Sequence, residues 1–211
     1  MSRDVKRAIV DAAINLFNTN GFDGTSVRDI AKRARVNSAN IAYYFDNKLG
    51  LLEHCFTVFF EGYVEQLEDG ITILDQGAAG CLKKITENVM YYQFENMYLT
   101  RLIWREISID SQVVREIMST YLMKERFYLS KVFERGMKTR EFRTLSPDYM
   151  ILQLKGLLSM PFLNIQYMTE VLHVMPNEKY FAEKYVREVF HWIEGVICKK
   201  SYEPPIYLAV K

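Results

Sequence analysis

The sequence predicts an all-α protein, in which a small N-terminal three-helix domain with a helix-turn-helix runs into a larger antiparallel helical body. Three observations carry this. Apolar residues recur at helical spacing along almost the whole chain, and no alternating pattern competes with them. Two short amphipathic segments near the start are joined by a tight polar turn. Charge is also unevenly divided. The 211 residues hold 27 Lys+Arg against 26 Asp+Glu, yet residues 1–50 carry eight basic side chains (Arg3, Lys6, Arg7, Arg28, Lys32, Arg33, Arg35, Lys48) against five acidic ones, a net of +3. The remainder is at −2, so a near-neutral total conceals a basic head on a slightly acidic body.

The first helix is read from Val5, Ile9, Ala12, Ala13 and Leu16, and Gly21 supplies its stop. A second, of about two turns, carries Val27, Ile30, Ala31 and Ala34, with Thr25 or Ser26 as N-cap and Asp29 placed to complete a capping box on Ser26. The turn Arg35-Val36-Asn37-Ser38 precedes a third helix through Asn40, Ile41, Tyr43 and Tyr44 to Phe45. Asn47 then caps a long helix with Leu52, Phe56, Phe59, Tyr63 and Leu67 on one face. Further stripes fall at Val89, Tyr92 and Asn96, at Val113, Val114, Ile117, Met118, Tyr121 and Leu122, and at Tyr185, Val189, Trp192, Ile193 and Val196. Ser146-Pro147 opens a helix carrying Ile151, Leu154, Leu157 and Leu158, and Pro161 and Pro176 punctuate the chain after that stripe. This gives a small helix-turn-helix domain over 1–47, a larger helical body over 48–200, and an irregular tail over 201–211 containing Pro204-Pro205.

Several classes are disfavoured. A composition 49% hydrophobic and 14% aromatic does not suit a disordered chain. Cys55, Cys81 and Cys198 are odd in number and widely spaced, which suits core thiols in a reducing compartment. The charged N-terminus is unlike a secretory signal, and the longest apolar stretch, 156–169, falls short of the roughly 20 residues that span a bilayer. A cytoplasmic, nucleoid-associated protein without membrane contact is expected. His54, His173 and His191 form no metal-binding pair, and Gly21-x-x-Gly24 and Gly77-x-x-Gly80 lack the ending of a phosphate loop. The expectation is no enzyme, no cofactor, no metal and no catalytic residue.

The head is suited to double-stranded DNA. A recognition helix needs small or polar residues at its N-terminal end, and Asn37, Ser38, Ala39 and Asn40 have that character. Tyr43 and Tyr44 can place hydroxyls against phosphates, with surface packing as their plainer role. Thr25, Ser26 and Lys48 are candidate phosphate clamps at helix N-termini, and Arg28 can reach phosphate or guanine. Ile41 and Phe45 are assigned to the core.

The run from Gly21 to Ala31, followed by Val36-Asn37-Ser38, Tyr43-Tyr44-Phe45-Asp46-Asn47-Lys48 and Leu51-Leu52, resembles the DNA-binding domain of TetR-type transcriptional regulators. The resemblance implies a homodimer that reads palindromic sites with two recognition helices, and a body whose last long helices form the dimer interface, often around a ligand pocket. Ala39 stands where the family usually has Gly, Asn40 where it often has Thr, and Ala42 where it often has Tyr, so base preference does not transfer. Glu141-Phe142-Arg143 before Pro147 is a familiar link, with Arg140 in place of a common Gly.

Leu99-Thr100-Arg101, Arg105-Glu106, Ile109-Asp110-Ser111, the run from Arg115 to Glu125 and Leu152-Gln153-Leu154-Lys155 resemble the RefZ-type branch of that family, from endospore-forming bacteria. This implies sites near the replication origin and an influence on division-ring assembly during sporulation, with a cell-division protein as partner. The alternative is a ligand-responsive repressor of a neighbouring operon, its effector unknown. Arg101, Arg105, Glu106, Arg115 and Glu116 form a dense charged set that is either a solvated face with local ion pairs, the base-rate reading, or a partner surface. Tyr91, Tyr92, Phe94, Tyr98, Trp104, Tyr121 and Phe127 line either a ligand cavity or plain core, with core favoured. Dimerisation is assigned to Leu154, Leu157, Leu158, Val189, Trp192, Ile193 and Val196.

Overall fold

The computed structural model describes residues 2–109, 112–176 and 179–199, and these are almost wholly helical. The elements are α1 (Ser2–Asn20), α2 (Val27–Ala34), α3 (Ser38–Phe45), α4 (Lys48–Ile71), α5 (Ala78–Glu95), α6 (Met97–Ile109), α7 (Gln112–Lys138), α8 (Pro147–Leu163) and α9 (Lys179–Trp192). Short π-helical turns at Tyr167–Val171 and Ile193–Ile197 follow α8 and α9. Residues 110 and 111, the side chain of Val113 and the tail over 201–211 lie outside the described residues.

Local chemistry sets the first boundaries. Gly21 ends α1 at φ +80, where a Cβ would be strained, and its N–H returns to the Phe17 carbonyl at 3.0 Å. Ser26 caps α2 with a complete capping box, since its hydroxyl accepts from Asp29 N and its own N–H donates to the Asp29 carboxylate at 3.1 Å. The Ser26 hydroxyl also donates to the Asp29 carboxylate at 2.5 Å, and this bond foremost, with the one from Ser26 N–H, holds the Asp29 carboxyl below its ordinary pKa. Asn37 and Asn47 cap α3 and α4 through Ala39 N and through Leu49 N and Gly50 N.

Helix α4 is the axis of the molecule. It packs on α1 and α3 at its start, and on α5, α6 and α7 farther along. Leu52, Phe56, Phe59, Tyr63 and Leu67 are all buried, as the stripe predicts, and Cys55 and Phe60 join them. Phe59, Phe60, Tyr63 and Trp104 form a continuous aromatic cluster. Burial pushes the Cys55 thiol up to about 12, with Asp11 adding to it, and burial pushes Cys81 up to about 11. Cys198 is half-buried, and desolvation raises it too.

The body closes near its end. Phe142 and Cys198 form an isolated antiparallel bridge, and the Arg143 guanidinium donates to the carbonyls of Gly195 and Cys198 at 2.9 and 3.1 Å. Arg140, in place of the family's frequent Gly, adopts φ +64, the left-handed backbone that glycine accepts most easily.

Two expectations need correction here. Pro161 does not interrupt α8, which continues to Leu163. Leu154, Leu158, Val189 and Ile193 are at most 4% exposed within a single chain. They are intrachain core because α8 packs inward on α6 and α7 and α9 packs on α5, so these side chains have no surface left for a second protomer. Leu157, Trp192 and Val196 are half-buried. The outward face of α8 is instead Tyr149, Leu152, Gly156, Met160 and Leu163, all exposed at helical spacing.

Candidate nucleic-acid interface

The head is held by Ile9, Ala13, Phe17, Ile30, Ile41 and Phe45, contributed by all three of its helices and each at most 6% exposed. Burial of Ile41 and Phe45 fixes the roll of α3 and turns its N-terminal end outward. Ser38 and Ala39 are exposed there beside the exposed cap Asn37, and Asn40 is half-buried. The Asn37 side-chain oxygen Oδ1 accepts from Ala39 N at 2.9 Å, which leaves its amide donors directed away from the cap.

One turn on, Tyr43 is 80% exposed. Tyr44 is half-buried and meets the Tyr43 ring edge-on at 4.9 Å, so one tyrosine braces the other. Ser26 and Arg28 are exposed at the start of α2. Lys32, Arg33 and Arg35 are exposed as well and add positive charge to the head, although motif spacing did not single them out. Only the charge count over residues 1–50 pointed to them.

Two candidates serve the fold instead. Thr25 is 1% exposed, and its hydroxyl donates to the carbonyls of Gly21 at 2.8 Å and Leu16 at 3.2 Å. It closes the α1–α2 turn and is not presented to phosphate. The Lys48 ammonium donates to the carbonyls of Phe22 at 2.8 Å and Thr25 at 3.0 Å and lies 4.3 Å from the Phe22 ring centroid. Two of its three protons are spent on the same turn, so it fastens α4 to the head.

The charged set of the body also divides. Arg101, Arg115 and Glu116 are exposed. Glu106 is only 6% exposed, and Arg105 turns inward to the carbonyls of Phe17 and Asn18 on α1 with Glu106 beside it. Arg105 thus spends its guanidinium on α1, and Glu106 has little surface to offer a partner. Of the aromatic residues weighed as pocket or core, Trp104 is buried, Tyr121 stacks on Phe60 at 5.2 Å, and Tyr98 and Phe127 face solvent. They do not converge on one cavity. Among the described residues no helix is long and apolar enough to cross a membrane.

Residues 9–55, which comprise most of α1, all of α2 and α3 and the start of α4, match the model of bacterial regulatory proteins of the tetR family. Over 197 residues the chain is 46% identical to a relative described as a probable HTH-type transcriptional regulator, YttP of Bacillus subtilis, covering 93% of this chain and 95% of the relative. In fold it is similar to the TetR family transcriptional regulator PfmR of Thermus thermophilus, with a TM-score of 0.71 at 21% identity over 89% of this chain and 97% of the other. It is also similar to the ketosteroid transcriptional regulator KstR2 of Mycobacterium tuberculosis, with a TM-score of 0.75 at 16% identity over 92% and 95%. The outward α3, its capped entry and near-full-length similarity to a helix-turn-helix regulator lead to one conclusion: the chain belongs to the TetR family of DNA-binding transcriptional regulators.

Proposed function

We propose that the chain is a cytoplasmic, nucleoid-associated homodimer that reads palindromic double-stranded DNA with one α3 from each protomer in successive major grooves. The observation that carries this reading is the pose of α3. Its apolar side is locked by Ile41 and Phe45, while Asn37, Ser38, Ala39 and Tyr43 stand clear of the protein. Ser26, Arg28 and Tyr44 flank it as backbone contacts. We place the dimer face on the outer side of α8, along Tyr149, Leu152, Gly156, Met160 and Leu163, with Leu157, Trp192 and Val196 at its margin. A row of exposed apolar side chains on a long helix suits an isologous contact. No cofactor or metal enters this reading.

Within it, a role at sites near the replication origin that influences division-ring assembly during sporulation is supported by the resemblance of the body and by the exposed Arg101, Arg115 and Glu116 as a partner surface. The second reading is a ligand-responsive repressor of a neighbouring operon. A cavity of about 410 Å³ at the α8–α9 connection favours it, with a lining that includes Val174, Met175, Phe181 and Tyr185 next to His173 and Lys184.

Selection of bound fragments from genomic DNA, at stated salt, tests the reading and separates its two forms. Several palindromes clustered near the origin are expected for the division role, and one site at an adjacent promoter for the repressor. Recovery of no palindrome defeats both. Charge reversal at Arg101 or Arg115 is expected to abolish the division effect while DNA binding persists.

A further inference from the structure

The carboxyl end of α1 lacks a cation of its own, because no basic residue lies in its last turn. Unsatisfied carbonyls and the negative end of the helix dipole gather at such a terminus. The cation arrives from α6, far along the chain. Arg105 donates through Nη2 to the Phe17 carbonyl and through Nη1 to the Asn18 carbonyl at 3.2 Å. The buried Glu106 carboxylate accepts from Nη2 at 3.2 Å and orients the guanidinium. A second bond crosses the same joint, from the Asn18 amide to the Tyr98 carbonyl at 2.8 Å.

Beside this joint lies a cleft of about 390 Å³, lined by Gly21 and Phe22 of the head, by Leu49 at the start of α4, and by Arg105, Glu106 and Ile109 of α6. The head meets α6 through apolar packing of α1 and, beside this open space, through these directional hydrogen bonds. Apolar packing holds the two helices together but is less directional than a hydrogen bond, so the Arg105 and Asn18 bonds narrow the tilt of the head and their removal widens it.

We propose that Arg105 is a positioning residue that latches the head to α6 and so sets the separation at which the two α3 helices of the dimer meet their half-sites. This inference rests on the dimeric, palindrome-reading function proposed above. In a dimer the reading heads must match half-sites about one helical turn, roughly 34–36 Å, apart. A residue that fixes the tilt of each head selects the spacing without touching a base.

The test uses the full-length dimer and a set of palindromes whose half-site separation varies one base pair at a time. Arg105→Met keeps the apolar stem and removes both donors, and Arg105→Lys keeps the charge without the fork. The latch predicts that Arg105→Met binds the preferred site about tenfold more weakly and flattens the preference among spacings, while dimer mass and helical content stay unchanged. Arg105→Lys should fall between it and the native protein. An unchanged spacing profile in Arg105→Met overturns the latch, as does an equal loss of affinity at every spacing. Should Arg105→Met fail to fold, Asn18→Ala, which cuts the bond to the Tyr98 carbonyl, carries the same reading: a flattened profile supports the latch and an unaltered one overturns it. Failure of the native protein to select any palindrome would count against the proposed function, and is thereby distinguishable.

Discussion

The Tyr63 hydroxyl donates to a Glu125 carboxylate oxygen at 2.6 Å in the interior of the body, joining α4 to α7. The other Glu125 oxygen accepts from the Lys155 ammonium on α8, which lies 4.9 Å from the Trp104 ring centroid. Burial foremost, and the adjacent carboxylate, push the Tyr63 phenol well above its ordinary range, so it stays a donor at any physiological pH. Lys155→Met would leave a carboxylate that is 5% exposed without its cation. A loss of about 3 kcal/mol is expected, at the lower end for broken buried pairs because Lys155 retains some solvent contact. The double change Glu125→Leu with Lys155→Met should recover only part of it, because the buried Tyr63 hydroxyl then loses its acceptor. Urea unfolding at fixed protein concentration, with Glu125→Leu alone completing the cycle, measures the coupling, and strictly additive losses would show that the pair contributes none.

Leu152→Glu, on the outward face of α8, should produce a folded monomer that no longer binds a full palindrome. Leu158→Glu or Ile193→Glu should unfold the chain, since both positions are buried within one protomer. Sedimentation combined with circular dichroism separates the outcomes. Folded monomers from Ile193→Glu would return the interface to the inner faces.

Gly156 sharpens the same assignment. A Cβ at this position meets nothing within 4 Å in the single chain. Gly156→Ala should therefore favour the isolated helix by roughly 1 kcal/mol. Gly156→Leu should weaken the dimer wherever two α8 helices approach closely, and a dimer dissociation constant unaffected by Leu would move the contact elsewhere.

Thr25→Val should destabilise the head by about 1–2 kcal/mol, because a buried hydroxyl bond is lost, and Thr25→Ser should restore most of it. The slope of binding against salt should be the same in both variants. Arg28→Ala, at an exposed position, should lower that slope by about one if the guanidinium neutralises a phosphate. A loss of affinity in a Thr25→Val variant that is still folded, regained in Thr25→Ser, would reinstate that residue as a phosphate ligand.

His54 gives the head a dependence on acid. Desolvation, and then the charge of Lys6, lower its pKa below the ordinary value of 6.5, while Glu61 opposes them. The unfolded chain consequently binds a proton more readily than the folded one, and stability declines as pH falls from about 6.5 through the lowered folded value. His54→Gln should flatten this part of the stability profile. A decline of the same size in the variant would assign it to other groups.

The first four helices were largely legible in the sequence because their signals are local. Ser26 with Asp29, Asn37 and Asn47 sit within three residues of the N–H groups they cap, and the inward stripe of α4 repeats with helical period. Partners distant in sequence were not legible. Lys48 and Arg105 look like free cations along the chain, yet they end on carbonyls 23 to 26 and 87 to 88 positions away. Phe17, fully buried, falls one residue beyond the stripe read for α1. The interface helix failed differently. Helix α8 is apolar on both sides, and periodicity does not say which side faces its own chain.

The three thiols form a graded set. Those of Cys55 and Cys81 are sealed in the interior of α4 and α5 and held far from thiolate, whereas Cys198 sits half-open at the chain's closing bridge. A maleimide added to the native protein would consequently act as a clock with three hands. It would mark opening of the Phe142–Cys198 bridge first, and would reach the junction of head and body only when the molecule opens throughout.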